Sequence, residues 1–211
     1  MLDDLKHIHT RDSKDLLGKA FTQLDQDNTY MTANNHLSRD ALIASIHADD
    51  TTASGFQQAF DAVKIAAMQW TPDIPTSKNA AKQLALEIIG KTPVLYAVPD
   101  AHTIATSWKT ALNTYAKTVA WVGQLSATEL ASWQGQPVLK PYTILYLSTA
   151  NEPNLIFAAA QKQLSGRWPM PHVIEAPMST DLERQVWLRV LGDFVALYVA
   201  IASGYDPADT R

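Results

Sequence analysis

The chain has 211 residues, 46% hydrophobic and 18% charged, with a formal net charge of -4. That is enough chain for one domain with its own core plus a small appendage, and it excludes an intrinsically disordered protein. The absence of cysteine removes a disulfide framework, a thiolate metal site and a catalytic thiol, and the mild acidity gives no electrostatic reason to bind nucleic acid or an anionic membrane surface.

Met1-Leu2-Asp3-Asp4 is acidic where a secretory leader is basic, and no uninterrupted apolar stretch reaches about 18 residues, so the expected setting is the cytoplasm. Residues 1–70 read as a helical arm. Asp12-Ser13-Lys14-Asp15 opens a helix with Leu16, Leu17, Ala20, Phe21 and Leu24 to one side, and Asp25-Gln26-Asp27-Asn28 breaks it. Ser38 caps a second helix carrying Leu42, Ile43 and Ile46. A third runs from about Thr52 to Trp70 with Phe56, Phe60, Val63, Ala67 and Trp70 spaced for one face. The arm is expected to pack on the domain or to be exchanged with a partner, with Phe56, Phe60 and Trp70 exposed.

Residues 71–211 read as an α/β domain. Thr71-Pro72-Asp73-Ile74-Pro75 is expected to be an extended linker, because each proline biases its predecessor away from helix. Thr76 or Ser77 is expected to cap a helix through Ile89, which Gly90 ends. The runs 93–98, 118–122 and 142–147 read as buried strands, with 172–176 a weaker fourth. None alternates cleanly, which points to burial on both faces, as in a parallel sheet. Between them lie helical stripes: Ile104, Trp108, Ala111, Leu112 and Tyr115, then Ile156, Ala159, Ala160 and Leu164, and the long stretch 180–202. Strands alternating with helices of this length imply right-handed βαβ units and a three-layer α/β sandwich on a parallel sheet.

In such a sheet the crevice lies beyond the carboxyl ends of the strands. Ser148-Thr149-Ala150-Asn151 follows a strand directly and is the best candidate for holding a phosphate, with a plain turn and Asn151 as helix cap the other reading. Ser126-Ala127-Thr128-Glu129 and Thr180-Asp181-Leu182-Glu183 match the capping box, which explains both without a ligand. Neither G-x-G-x-x-G nor G-x-x-x-x-G-K-[ST] occurs, so no nucleotide cofactor is expected, and the lack of G-x-S-x-G disfavours an α/β-hydrolase. His7, His9, His36, His47 and His172 form no metal-binding spacing, and no metal is expected. His102 falls at the crevice, as a ligand contact or a solvent-facing residue. Among the carboxylates near strand ends (Asp100, Glu129, Glu152, Asp181), Asp100 and Glu129 are placed to converge across neighbouring loops, though capping or surface placement explains each.

A family resemblance is carried by Asn79-Ala80-Ala81-Lys82-Gln83-Leu84-Ala85, Gly90-Lys91-Thr92-Pro93-Val94-Leu95-Tyr96, Trp108-Lys109-Thr110, Leu112-Asn113 and Ala116-Lys117. It returns in Leu182-Glu183-Arg184, Gly192-Asp193-Phe194 and Gly204-Tyr205-Asp206-Pro207. From about Pro72 onward the chain resembles the second half of the bifunctional phosphoglucose/phosphomannose isomerases. The resemblance implies a SIS (sugar isomerase) domain of flavodoxin-like type with five parallel strands, a homodimer, and a hexose phosphate as substrate of an aldose–ketose isomerisation. The helical opening also resembles that family's, which implies that the first SIS domain is deleted. Lys109 and Asn113 become substrate-binding candidates beside Ser148, Thr149 and Asn151.

The same comparison implies that the chemistry is depleted. Thr114 stands where the family has its Glu base, Ala127 where it has the His that serves ring opening, and Ser107 where it has an Arg, while Glu129 is kept. The turn after the first strand becomes Ala97-Val98-Pro99, and a family Lys falls past Arg211. Each lost acid–base group is worth about 10²–10⁴-fold. Trp108, Gly192, Asp193, Asp206 and Pro207 are expected to be structural. Three functions follow as expectations: a sugar-phosphate-binding domain without ordinary isomerase activity, an active isomerase using Glu129, His102 or Asp100 instead, and a non-catalytic dimerisation module.

Overall fold

The computed structural model of the chain describes residues 53–134, 142–149, 155–167 and 169–207. The two helices expected before residue 50 lie outside them, as do His7, His9, His36 and His47. In chain order the elements are α1 (Ala53–Ala67), α2 (Ala80–Ile88), β1 (Thr92–Ala97), α3 (His102–Tyr115), β2 (Trp121–Val122), α4 (Ala127–Gln134), β3 (Tyr142–Ser148), α5 (Leu155–Gln163), β4 (His172–Glu175) and α6 (Asp181–Ala202). Short 3-10 turns fill Met68–Trp70, Thr76–Lys78 and Pro99–Ala101.

All strand pairs are parallel, in the order β2-β1-β3-β4. The described residues thus form four strands, one fewer than the resemblance implied. The central strands β1 and β3 are buried on both faces, which is why their apolar runs show no alternation. The outer strands β2 and β4 are short and partly exposed, so burial on both faces does not extend to them.

From β1 to β2 the chain steps one way across the sheet, and from β2 to β3 and β3 to β4 it steps the other way. Right-handed crossovers then place α3 on one face and α4 and α5 on the other, giving three layers. Side chains agree. Trp133 of α4 packs edge-on against Tyr142, and Phe157 of α5 stacks on Tyr146.

Helix α6 is buried almost all round and lies against α1, α2 and α3. Its length and composition alone would suit a membrane span, but it is enclosed in the fold and carries Arg184 and the buried ion pair Arg189–Asp193. Its start is a complete capping box: Thr180 Oγ1 accepts the Glu183 N–H (3.2 Å) and Glu183 Oε2 accepts the Thr180 N–H (3.0 Å). The expected α3 stripe is buried throughout, and the Trp108 indole N–H donates to the Leu188 carbonyl at 2.7 Å.

Four local expectations change. Residues 71–75 form a turn, with the Ile74 N–H on the Thr71 carbonyl (3.1 Å), and Lys82 Nζ ties it down through the carbonyls of Pro72 (2.7 Å) and Ile74 (2.8 Å). Asn79, not Thr76 or Ser77, caps α2: its Oδ1 accepts the Lys82 N–H (3.1 Å) and its Nδ2 donates to the Thr71 carbonyl (3.2 Å). Gly90 ends α2 as expected, at φ +73°. On α5 the buried stripe is Phe157, Ala160 and Leu164, while Ile156 and Ala159 face outward.

Trp70 is the fourth. It is 3% exposed, edge-on to Trp187 and Phe194, and its carbonyl accepts the Tyr198 hydroxyl, so it is a core residue and no exposed aromatic. Phe60 is half-buried, and the Phe56 side chain lies outside the described residues. Ala59, Val63 and Ala67 of α1 join the same hydrophobic core as the sheet and α6.

Candidate functional site

Strand order reverses between β1 and β3, so the crevice of this sheet opens beyond their carboxyl ends. The Val98 N–H continues the ladder onto the Leu147 carbonyl (3.2 Å) and holds the two exits side by side. From β1 the chain enters the 3-10 turn Pro99–Ala101 and then α3, whose first residue is His102. Ser148 and Thr149 stand at the exit of β3, both nearly buried at 4% and 6% exposure. His102 is half-buried and Asp100 exposed. Asn151, with Ala150 and Glu152, lies outside the described residues.

The helix starts differ in a way that matters here. Asn79, Ser126 and Thr180 each accept a backbone N–H at the starts of α2, α4 and α6. At α3 the N-cap position is Ala101, and no side chain caps it. The His102 N–H is met by the Pro99 carbonyl of the 3-10 turn, and the positive end of α3 meets the crevice with no side-chain oxygen set against it from the cap.

Glu129 sits in the first turn of α4. Ser126 Oγ accepts its N–H (3.2 Å), which is half of a capping box. The carboxylate takes another course: Tyr96 Oη donates to Glu129 Oε1 (3.3 Å), and Trp133 Nε1 donates to Tyr96 Oη (2.8 Å). The relay Trp133–Tyr96–Glu129 thus runs from α4 to β1 and back. Gly123, just past β2, makes room for it, since a Cβ there would lie 2.6 Å from both Glu129 Oε1 and Tyr96 Cε1. Burial pushes the Tyr96 hydroxyl well above its ordinary range; the Trp133 hydrogen bond opposes this in part and the Glu129 charge reinforces it. Tyr96 consequently stays a donor, and Glu129 is held as its acceptor.

His102 and Glu129, the two expected catalytic residues, both occupy first turns at the carboxyl edge, but on helices that cover opposite faces of the sheet. Lys109 and Asn113 run away from that edge. At 1.5 Å per residue they lie about 10 and 16 Å down α3 from His102, so the structure does not bring Asn113 to the crevice. Asn113 Oδ1 instead accepts the Ala120 N–H (3.2 Å) at the entry to β2, closing one backbone donor of an edge strand. Thr114 stands at the same far end, where its carbonyl accepts Lys117 Nζ (3.0 Å). Ala127 opens α4 at the near end, so Thr114 and Ala127 are separated by the length of the sheet within one chain.

Sequence reasoning missed Tyr96, Trp133 and Tyr146. The available signal was a tyrosine inside each central apolar run, because a buried tyrosine needs a partner for its hydroxyl. Tyr146 is the register partner of Tyr96, is 2% exposed, and stacks on Phe157 with ring centroids 3.8 Å apart. Among the described residues no three His, Asp or Glu side chains converge as a metal site would require.

Comparison with known proteins adds to this geometry. A model of the family described as the bacterial phospho-glucose isomerase C-terminal SIS domain matches residues 77–211. The bifunctional phosphoglucose/phosphomannose isomerase of Aquifex aeolicus is 23% identical over 145 residues, which are 66% of this chain and 45% of that protein. The protein of the same name from Caldicellulosiruptor bescii is 26% identical over 151 residues, 68% of this chain and 44% of that protein. The chain spans less than half the length of these curated relatives. Among solved structures, a glucose-6-phosphate isomerase like protein from Thermus thermophilus superposes with a TM-score of 0.58 at 20% identity, covering 74% of this chain and 56% of that one. The C-terminal domain of glucosamine-fructose-6-phosphate aminotransferase from Francisella tularensis gives 0.52 at 13% identity, covering 72% and 46%. These two likenesses concern the fold.

Proposed function

Because the chain belongs to the bacterial phospho-glucose isomerase C-terminal SIS domain family, we propose that it binds a sugar phosphate in the crevice between the ends of β1 and β3 without carrying out ordinary isomerisation. The observation that carries this is the pair of nearly buried hydroxyls, Ser148 and Thr149, at the β3 exit beside the start of α3, which no side chain caps. Hydroxyls and the positive end of a helix suit an anionic, oxygen-rich ligand. Aldose–ketose isomerisation needs a base to shift a proton between adjacent carbons and a donor to open the ring, and Thr114 and Ala127 supply neither.

Isothermal calorimetry with fructose 6-phosphate and glucosamine 6-phosphate tests the reading. Binding below millimolar concentration is expected, and no heat at millimolar ligand ends it. The same reading includes a homodimer, which light scattering checks, a cytoplasmic setting and no cofactor.

A second reading is favoured by one observation: the Glu129 carboxylate is not spent on its helix cap but is presented to a tyrosine near the carboxyl edge. In that case the protein would interconvert hexose phosphates with Glu129 as the proton-transfer group. A coupled assay in which Glu129→Gln abolishes measurable turnover would establish it in place of the first.

A further inference from the structure

Tyr96 and Tyr146 are register partners on the two central strands, yet their hydroxyls are treated oppositely. Tyr96 Oη has Trp133 and Glu129. Tyr146 Oη is buried and has no hydrogen-bond partner among the described residues. The other buried atoms in that condition belong to Arg184, Arg189 and Asp193, whose remaining atoms form ion pairs on α6. A buried hydroxyl left unpaired costs stability, and a native fold keeps one only for a reason.

The Tyr146 ring is packed on one face. It lies flat against Phe157, near the start of α5, at 9° between planes. Two residues along β3, on the same face, comes Ser148 at the crevice. Ser148 is in turn the register partner of Glu175, the last residue of β4. Burial first, and then the Glu175 charge, push the Tyr146 hydroxyl up to about 12, so it is protonated and able to donate at any neutral pH. A donor on the same strand face as a serine, and within the field of a carboxylate, is the wrong setting for a second phosphate, because Glu175 repels an anion. It is a suitable setting for neutral hydroxyls, each of which accepts from one group and donates to another.

We propose that Tyr146 is a specificity-determining contact of the crevice, its hydroxyl donating to a hydroxyl or ring oxygen on the carbohydrate part of the ligand, with Ser148 beside it. This rests on the sugar-phosphate reading above and assigns the sugar's end of the site, leaving the phosphate to Thr149 and the start of α3.

The test is calorimetry of the full chain and its Tyr146→Phe and Ser148→Ala variants with fructose 6-phosphate and with inorganic phosphate, alongside thermal melts. The expected result for Tyr146→Phe is an affinity for fructose 6-phosphate weaker by about tenfold, the worth of one hydrogen bond, with inorganic phosphate bound as before. Its melting temperature without ligand should stay level or rise, since an unpaired hydroxyl has been removed. Unchanged affinity for fructose 6-phosphate in Tyr146→Phe overturns this assignment and leaves the sugar-phosphate reading standing. Equal losses for sugar phosphate and inorganic phosphate also overturn it, since they place Tyr146 at the phosphate. A wild-type protein that binds neither ligand removes the sugar-phosphate reading, and this assignment with it.

Discussion

The Trp108 indole fills the space at Gly192 where any other residue would carry its Cβ, which would lie 2.3 Å from the indole Nε1. The same indole donates to the Leu188 carbonyl one turn earlier, so α3 and α6 are locked at a single point by one large and one absent side chain. We expect Gly192→Ala to cost about 1–3 kcal/mol through overpacking, read as a lower urea midpoint. In a Trp108→Phe background the same change should cost less, because the smaller ring yields; equal cost in both backgrounds would show that the two residues do not share the space.

The buried pair Arg189–Asp193 supplies a second expectation. Asp193→Ala leaves a guanidinium buried at 6% exposure and should destabilise the fold by about 3–5 kcal/mol. Replacing both members with Leu and Met should recover most of that loss. Urea unfolding of the single and double variants decides the matter, and a double variant as weak as Asp193→Ala would contradict it.

Helix caps provide a graded comparison. Thr180→Ala removes a full capping box and should cost about 1 kcal/mol. Ser126→Ala removes a lone bond and should cost less. Glu183→Gln should be milder than Thr180→Ala, because the amide oxygen still reaches the Thr180 N–H. Thermal melts of the three variants rank them.

These caps also show what could be read from residues alone and what could not. Both S/T-x-x-E segments were legible as helix starts, and both are. Which carboxylate turns back to its cap was not legible, because Glu129 is claimed by Tyr96, 33 positions away in the chain. The central strands were legible since a strand buried on both faces leaves a charge-free run. Asn79 was missed beside Thr76 and Ser77, all three being good caps, because its choice depends on the Thr71 carbonyl across a turn. Asn113 entered as a ligand contact through the family resemblance. Only the packing of α3 against β2 reveals it as an edge closure.

Alkaline pH should unfold the protein through its tyrosines. Burial raises Tyr96, Tyr115, Tyr146 and Tyr198 above the ordinary value of 10, Tyr146 to about 12. Above pH ~10 the unfolded chain gives up these protons while the folded chain keeps them, so stability is whole below pH ~10 and falls as pH climbs towards about 12. Lys82 acts in the opposite sense: burial lowers it, so its share of stability rises with pH until about 10.5 and then levels. The urea midpoint should therefore decline only beyond pH ~10, and the tyrosinate absorbance of these four residues should appear together with unfolding. Ionisation of all seven tyrosines ahead of unfolding would contradict the burial.

The placement of α6 sets a condition on synthesis. Helices α1, α2 and α3 all rest on it, and it follows every one of them in the chain. While the ribosome is still making it, the emerging polypeptide holds three greasy surfaces that α6 does not yet cover. The nascent chain must be shielded, or kept from its neighbours, until residue 202 has cleared the exit tunnel. Variants that slow translation just upstream of Thr180 would prolong that exposure without altering a single contact in the finished molecule.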